Sequence, residues 1–288
     1  MLRTKIVVPP PYDFGAVMDR LSLDSLNRVE IEQNTIFVPI VVDGRNISVK
    51  IKSTGTIDSP AFEVDILGEA DEATVLEELK RLFQWNELLP TIHDHFASTN
   101  LRSLFQEHRG TPLVLEFDFF RCLLKSIIHQ QLSLKVAHRL TDRFVKTYGV
   151  EHNGVWFYPS PDRLCSLNYE ELKELGLSTR KSEYIIDISK AIVSGELDLS
   201  SLQNQSDEEV IQTLVKIRGI GPWTAQNFLM FALGRLNMFP KADIGLQNAI
   251  RNLFNLSAKP TLDEMESLSK EWQPYASYAS LYLWRSIE

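Results

Sequence analysis

A chain of 288 residues that is 44% hydrophobic can bury a substantial core in two or three structural units, and with no run of roughly 18 apolar residues it offers no membrane span. Its formal net charge of −8 excludes holding a polyanion by bulk charge, so any nucleic-acid contact has to be local. Two cysteines, Cys122 and Cys165, suit a reducing compartment; a disulfide between them is open but unsupported.

The opening MLRTKIVVPPPYDF lacks an apolar signal region, so a cytoplasmic location is expected. A helix is expected between Phe14 and Leu26. The stretch from Thr35 to about Leu67 is β-rich: Thr35–Val42, a turn at Asp43-Gly44 and Ile47–Lys52 read as an antiparallel hairpin, and Phe62–Ile66 alternates as a further strand. From about Asp71 the period becomes helical, with Val75, Leu76, Leu79, Leu82 and Phe83 at i, i+3, i+4 spacing. Helical patterns run on to the C-terminus, broken at Gly110-Thr111-Pro112, Tyr158–Pro161 and Lys259-Pro260. His93 and His95, at i, i+2 with no third partner, read as surface residues rather than metal ligands, and His129 and His138 as structural or phosphate-facing.

Between residues 121 and 146, Arg121, Lys125, Lys135, Arg139, Arg143 and Lys146 stand against the single acid Asp142. A solvated helix face explains that window; beside Lys216 and Arg218 it also reads as a basic strip along a DNA backbone, giving modest, salt-sensitive binding.

The most informative stretch runs from Leu214 to Ala249. An apolar helical pattern (Leu214, Val215, Ile217) stops at Arg218-Gly219-Ile220-Gly221, and Pro222 takes the first position of a new helix. Two glycines spaced i, i+2 permit φ > 0 and close approach, and their N–H groups ahead of a helix dipole suit a phosphate. A plain αα turn is the structural alternative. Asp243 follows on the far side of the second helix, just before a further helix (Leu246 to Phe254); by itself it could simply be a helix N-terminal residue.

This segment resembles the helix-hairpin-helix, Gly/Pro–Asp superfamily of DNA base-excision glycosylases, and within it the alkylbase branch, 3-methyladenine DNA glycosylase II of the AlkA type. Similar segments occur in order along the chain: Pro10-Pro11-Tyr12-Asp13, Ser126–Ser133 (SIIHQQLS), Leu175-Gly176-Leu177 with Arg180-Lys181-Ser182-Glu183, and Glu271-Trp272-Gln273-Pro274 through Leu283-Trp284. The resemblance implies an α+β, mostly α fold. A small TBP-like antiparallel sheet domain (1–70) would precede a central helical domain (111–225) ending in the hairpin. A second helical domain (71–110 plus 226–288) would carry Asp243, with the cleft between the helical pair.

The resemblance also implies a monofunctional enzyme that flips alkylated purines out of double-stranded DNA and hydrolyses the N-glycosidic bond, leaving an abasic site. Asp243 matches the catalytic aspartate. Trp223 stands where bifunctional relatives carry a lysine nucleophile, and an indole cannot form a Schiff base. Trp223 and Trp284 match the walls of the base pocket, whereas Asn227, Ile244 and Arg20 depart from positions where aromatic residues are common. Gly219, Ile220, Gly221, Thr224, Lys216 and Arg218 would form the DNA-binding hairpin, and Gln131 or Leu132 the wedge. Carbonyls of Val215, Ile217 and Gly219 match those that hold Na⁺ or K⁺; no other cofactor is expected, and two cysteines exclude the four-cysteine iron–sulfur loop. The enzyme is expected to act as a monomer. Two alternatives stay open: a glycosylase for oxidised or mismatched bases, opposed by Trp223, and a non-catalytic DNA-binding or damage-sensing protein, opposed by Asp243.

Overall fold

Alternating apolar residues build the N-terminal sheet. In the computed structural model, which describes residues 2–85 and 88–287, strands β1 (Leu2–Val7), β2 (Arg28–Glu30), β3 (Thr35–Val42), β4 (Arg45–Ser53) and β5 (Ala61–Leu67) form one antiparallel sheet ordered β1-β5-β4-β3-β2. The expected β3–β4 hairpin pairs from Thr35↔Lys52 to Val42↔Arg45, and Asp43 and Gly44 turn it with φ of +50° and +71°. Two successive positive φ values are what a two-residue turn matched to strand twist requires. Pro39 sits past the three residues paired with β2, where β3 is an edge and proline is tolerated.

Helix α1 (Phe14–Ser22), capped by Asp13, lies over this sheet. It ends four residues before the expected Leu26, because Asp24 accepts the N–H of Leu26 at 3.1 Å and offers the backbone a turn in place of another helical bond. The helical part then runs through α2 (Glu72–Phe83), α3 (Leu88–Phe96), α4 (Arg102–Glu107), α5 (Phe119–His129) and α6 (Leu134–Tyr148). After a short hairpin, β6 (Val150–His152) and β7 (Val155–Phe157), come α7 (Pro161–Cys165), α8 (Tyr169–Glu174), α9 (Thr179–Val193) and α10 (Asp207–Leu214). The chain closes with α11 (Pro222–Phe231), α12 (Ile244–Leu253), α13 (Leu262–Ser269) and α14 (Ala276–Arg285).

The β6–β7 hairpin, β1 and β2 were not legible as strands. Asn153 and Gly154 turn the hairpin with φ of +53° and +72°, so an Asn-Gly signal was present. Val155 and Phe157 pack on Phe37 from the sheet face opposite to Ile36 and Val38, so β3 is covered on both sides and reads as an unbroken apolar run.

Apolar side chains gather in two large clusters. One joins the sheet and α1 to α2–α4, α12 and α14; the other joins α5–α11. Phe231 and Met238 pack against both. Helix α11 lies at the seam and is buried nearly all round, from Thr224 to Met230. Cys122 and Cys165 are free thiols, and no helix among the described residues is long and apolar enough to cross a membrane.

Candidate active site

The hairpin is built by its caps. Ser206 and Glu209 form a reciprocal capping box that starts α10, which ends at Leu214; the chain then turns through residues 215–221. Ile217 therefore lies in the turn, where its carbonyl accepts the Ile220 N–H at 3.1 Å. The two glycines do different work. Gly219 takes φ +97°, and a Cβ there would run into the Tyr184 ring. Gly221 is extended (φ −96°, ψ 176°), caps α11 ahead of Pro222, and has nothing within 4 Å of where a Cβ would stand. Positive φ is thus needed at one glycine only, and openness is the property of the other. No acceptor among the described residues takes the N–H of either.

The four side-chain-bearing residues assigned to the DNA face divide into two buried and two exposed. Thr224 is buried, with Oγ1 3.4 Å from Gln130 Nε2, and Ile220 is buried, so only its backbone reaches the surface. Arg218 is exposed but pairs with Glu183 at 2.5 Å, while Lys216 is exposed with no ion pair among the described residues. Of the three carbonyls matched to a cation, Ile217 O and Gly219 O each already accept one hydrogen bond, and Val215 O accepts none among the described residues.

Asp243 sits across the seam. Its Oδ1 accepts the Leu246 N–H at 2.9 Å, capping α12, and the Trp284 Nε1–H at 2.9 Å. Its Oδ2 accepts the Trp223 Nε1–H at 3.0 Å. Three donors from α11, α12 and α14 thereby fix one carboxylate, and of its roughly four lone-pair sites one on Oδ2 remains. Gly245 makes this possible: a Cβ there would stand 2.9 Å from Asp243 Oδ1 and 3.2 Å from Trp284 Nε1. Sequence reasoning missed Gly245, although a glycine inside a helix, about 1 kcal/mol worse than alanine, is a signal in itself.

Around the carboxylate, Trp223 is 36% exposed and Ile244 is 64% exposed at the lip, while Asn227 is buried and donates to the Trp223 carbonyl at 2.8 Å. Trp284 lies beside Phe231 with ring centroids 6.0 Å apart, and the Arg20 guanidinium sits 4.9 Å over Phe231. Phe231 thus lies between Trp284 and Arg20, an aromatic neighbour that sequence reasoning also passed over.

The basic window from 121 to 146 is not a continuous strip. Arg121 is buried, its guanidinium 3.0 Å from Glu116, and Lys125 meets the same carboxylate at 2.8 Å. Burial alone would raise the Glu116 carboxyl, but Lys125 and Arg121 outweigh it and hold it at about 2. Lys146 pairs with Asp142, and Arg143 donates to the Leu175 carbonyl. Lys135 and Arg139 stay exposed, without an ion pair among the described residues.

In the candidate wedge loop, Gln131 is exposed with φ +56°, Leu132 is half-buried, and the apolar residue that stands out is Leu134, 71% exposed at the start of α6. The histidines point elsewhere. His93 accepts the Gly110 N–H at 3.1 Å and lies 3.2 Å from the Tyr282 hydroxyl, and His95 meets the Glu271 carbonyl. His129 bonds Thr141 at 3.1 Å.

Residues 124–274 match the family described as HhH-GPD superfamily base excision DNA repair protein. The chain is 51% identical over 289 residues to YfjP of Bacillus subtilis (strain 168), covering 100% of both. It is 31% identical over 293 residues to the DNA-3-methyladenine glycosylase of the same organism, covering 98% of this chain and 96% of that one. Among solved structures, the 3-methyladenine DNA-glycosylase from Archaeoglobus fulgidus is similar with a TM-score of 0.86 at 27% identity, covering 99% of this chain and 98% of the other. The chain belongs to the HhH-GPD superfamily of base excision DNA repair proteins. It is a DNA glycosylase, and DNA is its partner.

Proposed function

We propose that the protein is a monofunctional glycosylase that removes alkylated purines, of the 3-methyladenine and 7-methylguanine kind, and leaves an abasic site. The observation that carries this reading is the Asp243 carboxylate held by two indole N–H groups, from α14 at 2.9 Å and from α11 at 3.0 Å. Two of the relatives, the DNA-3-methyladenine glycosylase of Bacillus subtilis and the 3-methyladenine DNA-glycosylase of Archaeoglobus fulgidus, are named for action on 3-methyladenine.

A base inside a duplex is out of reach, so its nucleotide must be turned out at a cost of a few kcal/mol. Gln131, Leu132 and the exposed Leu134 are the residues placed to fill the vacated stack. An N3- or N7-alkylated purine is cationic, and indole faces attract a cation by about 0.5–2 kcal/mol. Because the base already leaves readily, the sugar needs the help. As its C–N bond breaks it becomes oxocarbenium-like, and the free lone pair of Asp243 Oδ2 is available to stabilise that charge or orient a water.

Trp223 offers no amine, and Lys241, two residues before Asp243, directs its ammonium to Glu266 at 2.7 Å; both favour a reaction without strand cleavage. The N–H groups of Gly219 and Gly221, with Lys216, would take a DNA phosphate. A monovalent ion fits neutral carbonyl oxygens, and Val215, Ile217 and Gly219, which each retain a lone pair, would hold one; it would supply positive charge at the hairpin for a DNA phosphate.

The test is release of free bases from methylated duplex DNA by wild type and Asp243→Asn, with and without alkali afterwards. Release of methylated purines, lowered roughly 10²–10³-fold in the variant, with breaks only after alkali, is expected. Strand breaks without alkali overturn the monofunctional reading, and full activity in the variant removes Asp243 from the chemistry.

A further inference from the structure

Two separate pieces of chain, the end of α5 and the hairpin, converge on the first two turns of α9. Lys181 Nζ donates to the carbonyls of Ile128 at 2.8 Å and Gln130 at 2.7 Å, which are left without helical partners where α5 ends. Three residues on, and so on the same helix face, the Tyr184 ring lies against Gly219. Between them, Glu183 holds Arg218 of the hairpin. Gln130 closes the circuit, since its side chain donates to the Gly219 carbonyl at 2.9 Å while its own carbonyl receives Lys181. The next residue is Gln131, exposed and left-handed, a conformation that costs a side-chain-bearing residue energy and persists only where its surroundings impose it.

A lysine is an expensive way to satisfy two carbonyls that water could reach. It gives up the freedom of a long side chain and part of its hydration, and burial lowers its pKa. What the ammonium supplies, and water does not, is a fixed distance between the end of α5 and α9.

We infer that Lys181 is a positioning residue that locks the intruding loop, Gln131 to Leu134, to the phosphate-holding hairpin. The inference rests on the reading above that loop and hairpin both face DNA. Opening a base stack pushes back on whatever enters it. A loop able to recoil would slide out, whereas one tied through Lys181 and Gln130 to a hairpin anchored on the backbone holds its register.

The experiment uses duplexes with 2-aminopurine beside a tetrahydrofuran abasic analogue, so unstacking is read by fluorescence without excision. Undamaged-duplex affinity and single-turnover release from methylated DNA are measured alongside. Lys181→Met should lose at least half of the unstacking signal and slow release about ten-fold, while affinity for undamaged duplex changes by less than about two-fold. Lys181→Arg should recover most of the signal. Gln130→Leu cuts the same connection elsewhere, so it should reproduce the defect, and the double variant should be no worse than either single one.

An unchanged unstacking signal in folded Lys181→Met overturns the inference. So does a loss of undamaged-duplex affinity in step with the signal, which makes Lys181 an ordinary prop of the hairpin. Should Lys181→Met fail to fold, Gln130→Leu decides: a full signal there overturns the coupling. A wild type that unstacks but releases no methylated base overturns only the substrate reading, and one that neither binds nor unstacks overturns both.

Discussion

Asp243 caps a helix and accepts two indole N–H groups with the same carboxylate, and the two duties separate in a single substitution. Asparagine caps a helix as well as aspartate does, so Asp243→Asn should keep the Leu246 bond and alter stability by under about 1 kcal/mol. Its amide nitrogen, facing the Trp223 N–H, cannot accept, so one indole bond goes together with the negative charge. A thermal melt within a few degrees of wild type, beside the activity loss stated above, identifies charge as what the reaction uses. A large fall in melting temperature would mean the substitution had damaged the fold instead. Gly245→Ala probes the same carboxylate by shape. Alanine favours the helix by about 1 kcal/mol, yet its Cβ would crowd Asp243 Oδ1 at 2.9 Å and Trp284 at 3.2 Å. Stability should hold or rise while single-turnover release falls roughly 10–100-fold. Unchanged release at unchanged stability would show that the carboxylate tolerates displacement and that the clasp is not a requirement.

The hairpin between α10 and α11 carries its function in backbone rather than side chains, and its two glycines are separable. Gly219→Ala has to abandon φ +97° or push Tyr184 aside, so it should cost roughly 1–3 kcal/mol of stability and weaken duplex binding. Gly221→Ala has free space and an ordinary φ, so the apo protein should melt as wild type does. A loss of affinity in Gly221→Ala alone, read by fluorescence anisotropy, would report DNA backbone approaching within van der Waals distance; wild-type affinity there would move the phosphate elsewhere. This contrast also marks what the sequence could convey. The glycine pair, Pro222, the β3–β4 hairpin with its Asp-Gly turn and the helical period after Asp71 are local signals, and each appears as an element where it was read. The indole clasp on Asp243, the Lys181 tie and the aromatic surface of Phe231 join residues far apart in the chain, and a single sequence carries no mark of such pairs. The basic window misled for a related reason: charge is visible in sequence, whereas the turning inward of Arg121 and Lys125 onto Glu116 is decided by packing.

That inward cluster is where the whole molecule is joined. Asn27 and Asp24, which follow α1, meet Arg121 and Lys125 of α5 around Glu116, whose own N–H donates to the Phe231 carbonyl at 2.7 Å. The sheet unit, the central helices and the end of α11 thus share one set of buried charges, and the β6–β7 hairpin fastens the sheet a second time through Ser48, Asn153 and Arg28. A shared buried cluster makes stability depend on pH in a definite direction. Burial holds the pKa of His93 and of His129 at about 4, against an ordinary value of 6.5. Unfolded chains bind those protons first, so stability is complete above pH 6.5 and falls as pH drops from there toward 4. Glu116, held at about 2 against 4.5, contributes fully above pH 4.5 and progressively less toward 2. That second contribution is on the order of 3 kcal/mol. Urea midpoints measured from pH 8 to pH 3 should therefore decline, the histidines acting before the Glu116 carboxylate, with Asp118, whose carboxyl burial raises, opposing the fall at the acid end. Glu116→Gln should flatten the decline below pH 4.5 while lowering stability at neutral pH by roughly 3–5 kcal/mol, because Arg121 is left buried with its main partner uncharged. A wild-type midpoint that stays level below pH 4.5, or a Glu116→Gln variant as stable as wild type at pH 7, would show that the cluster is not what joins the sheet to the helices.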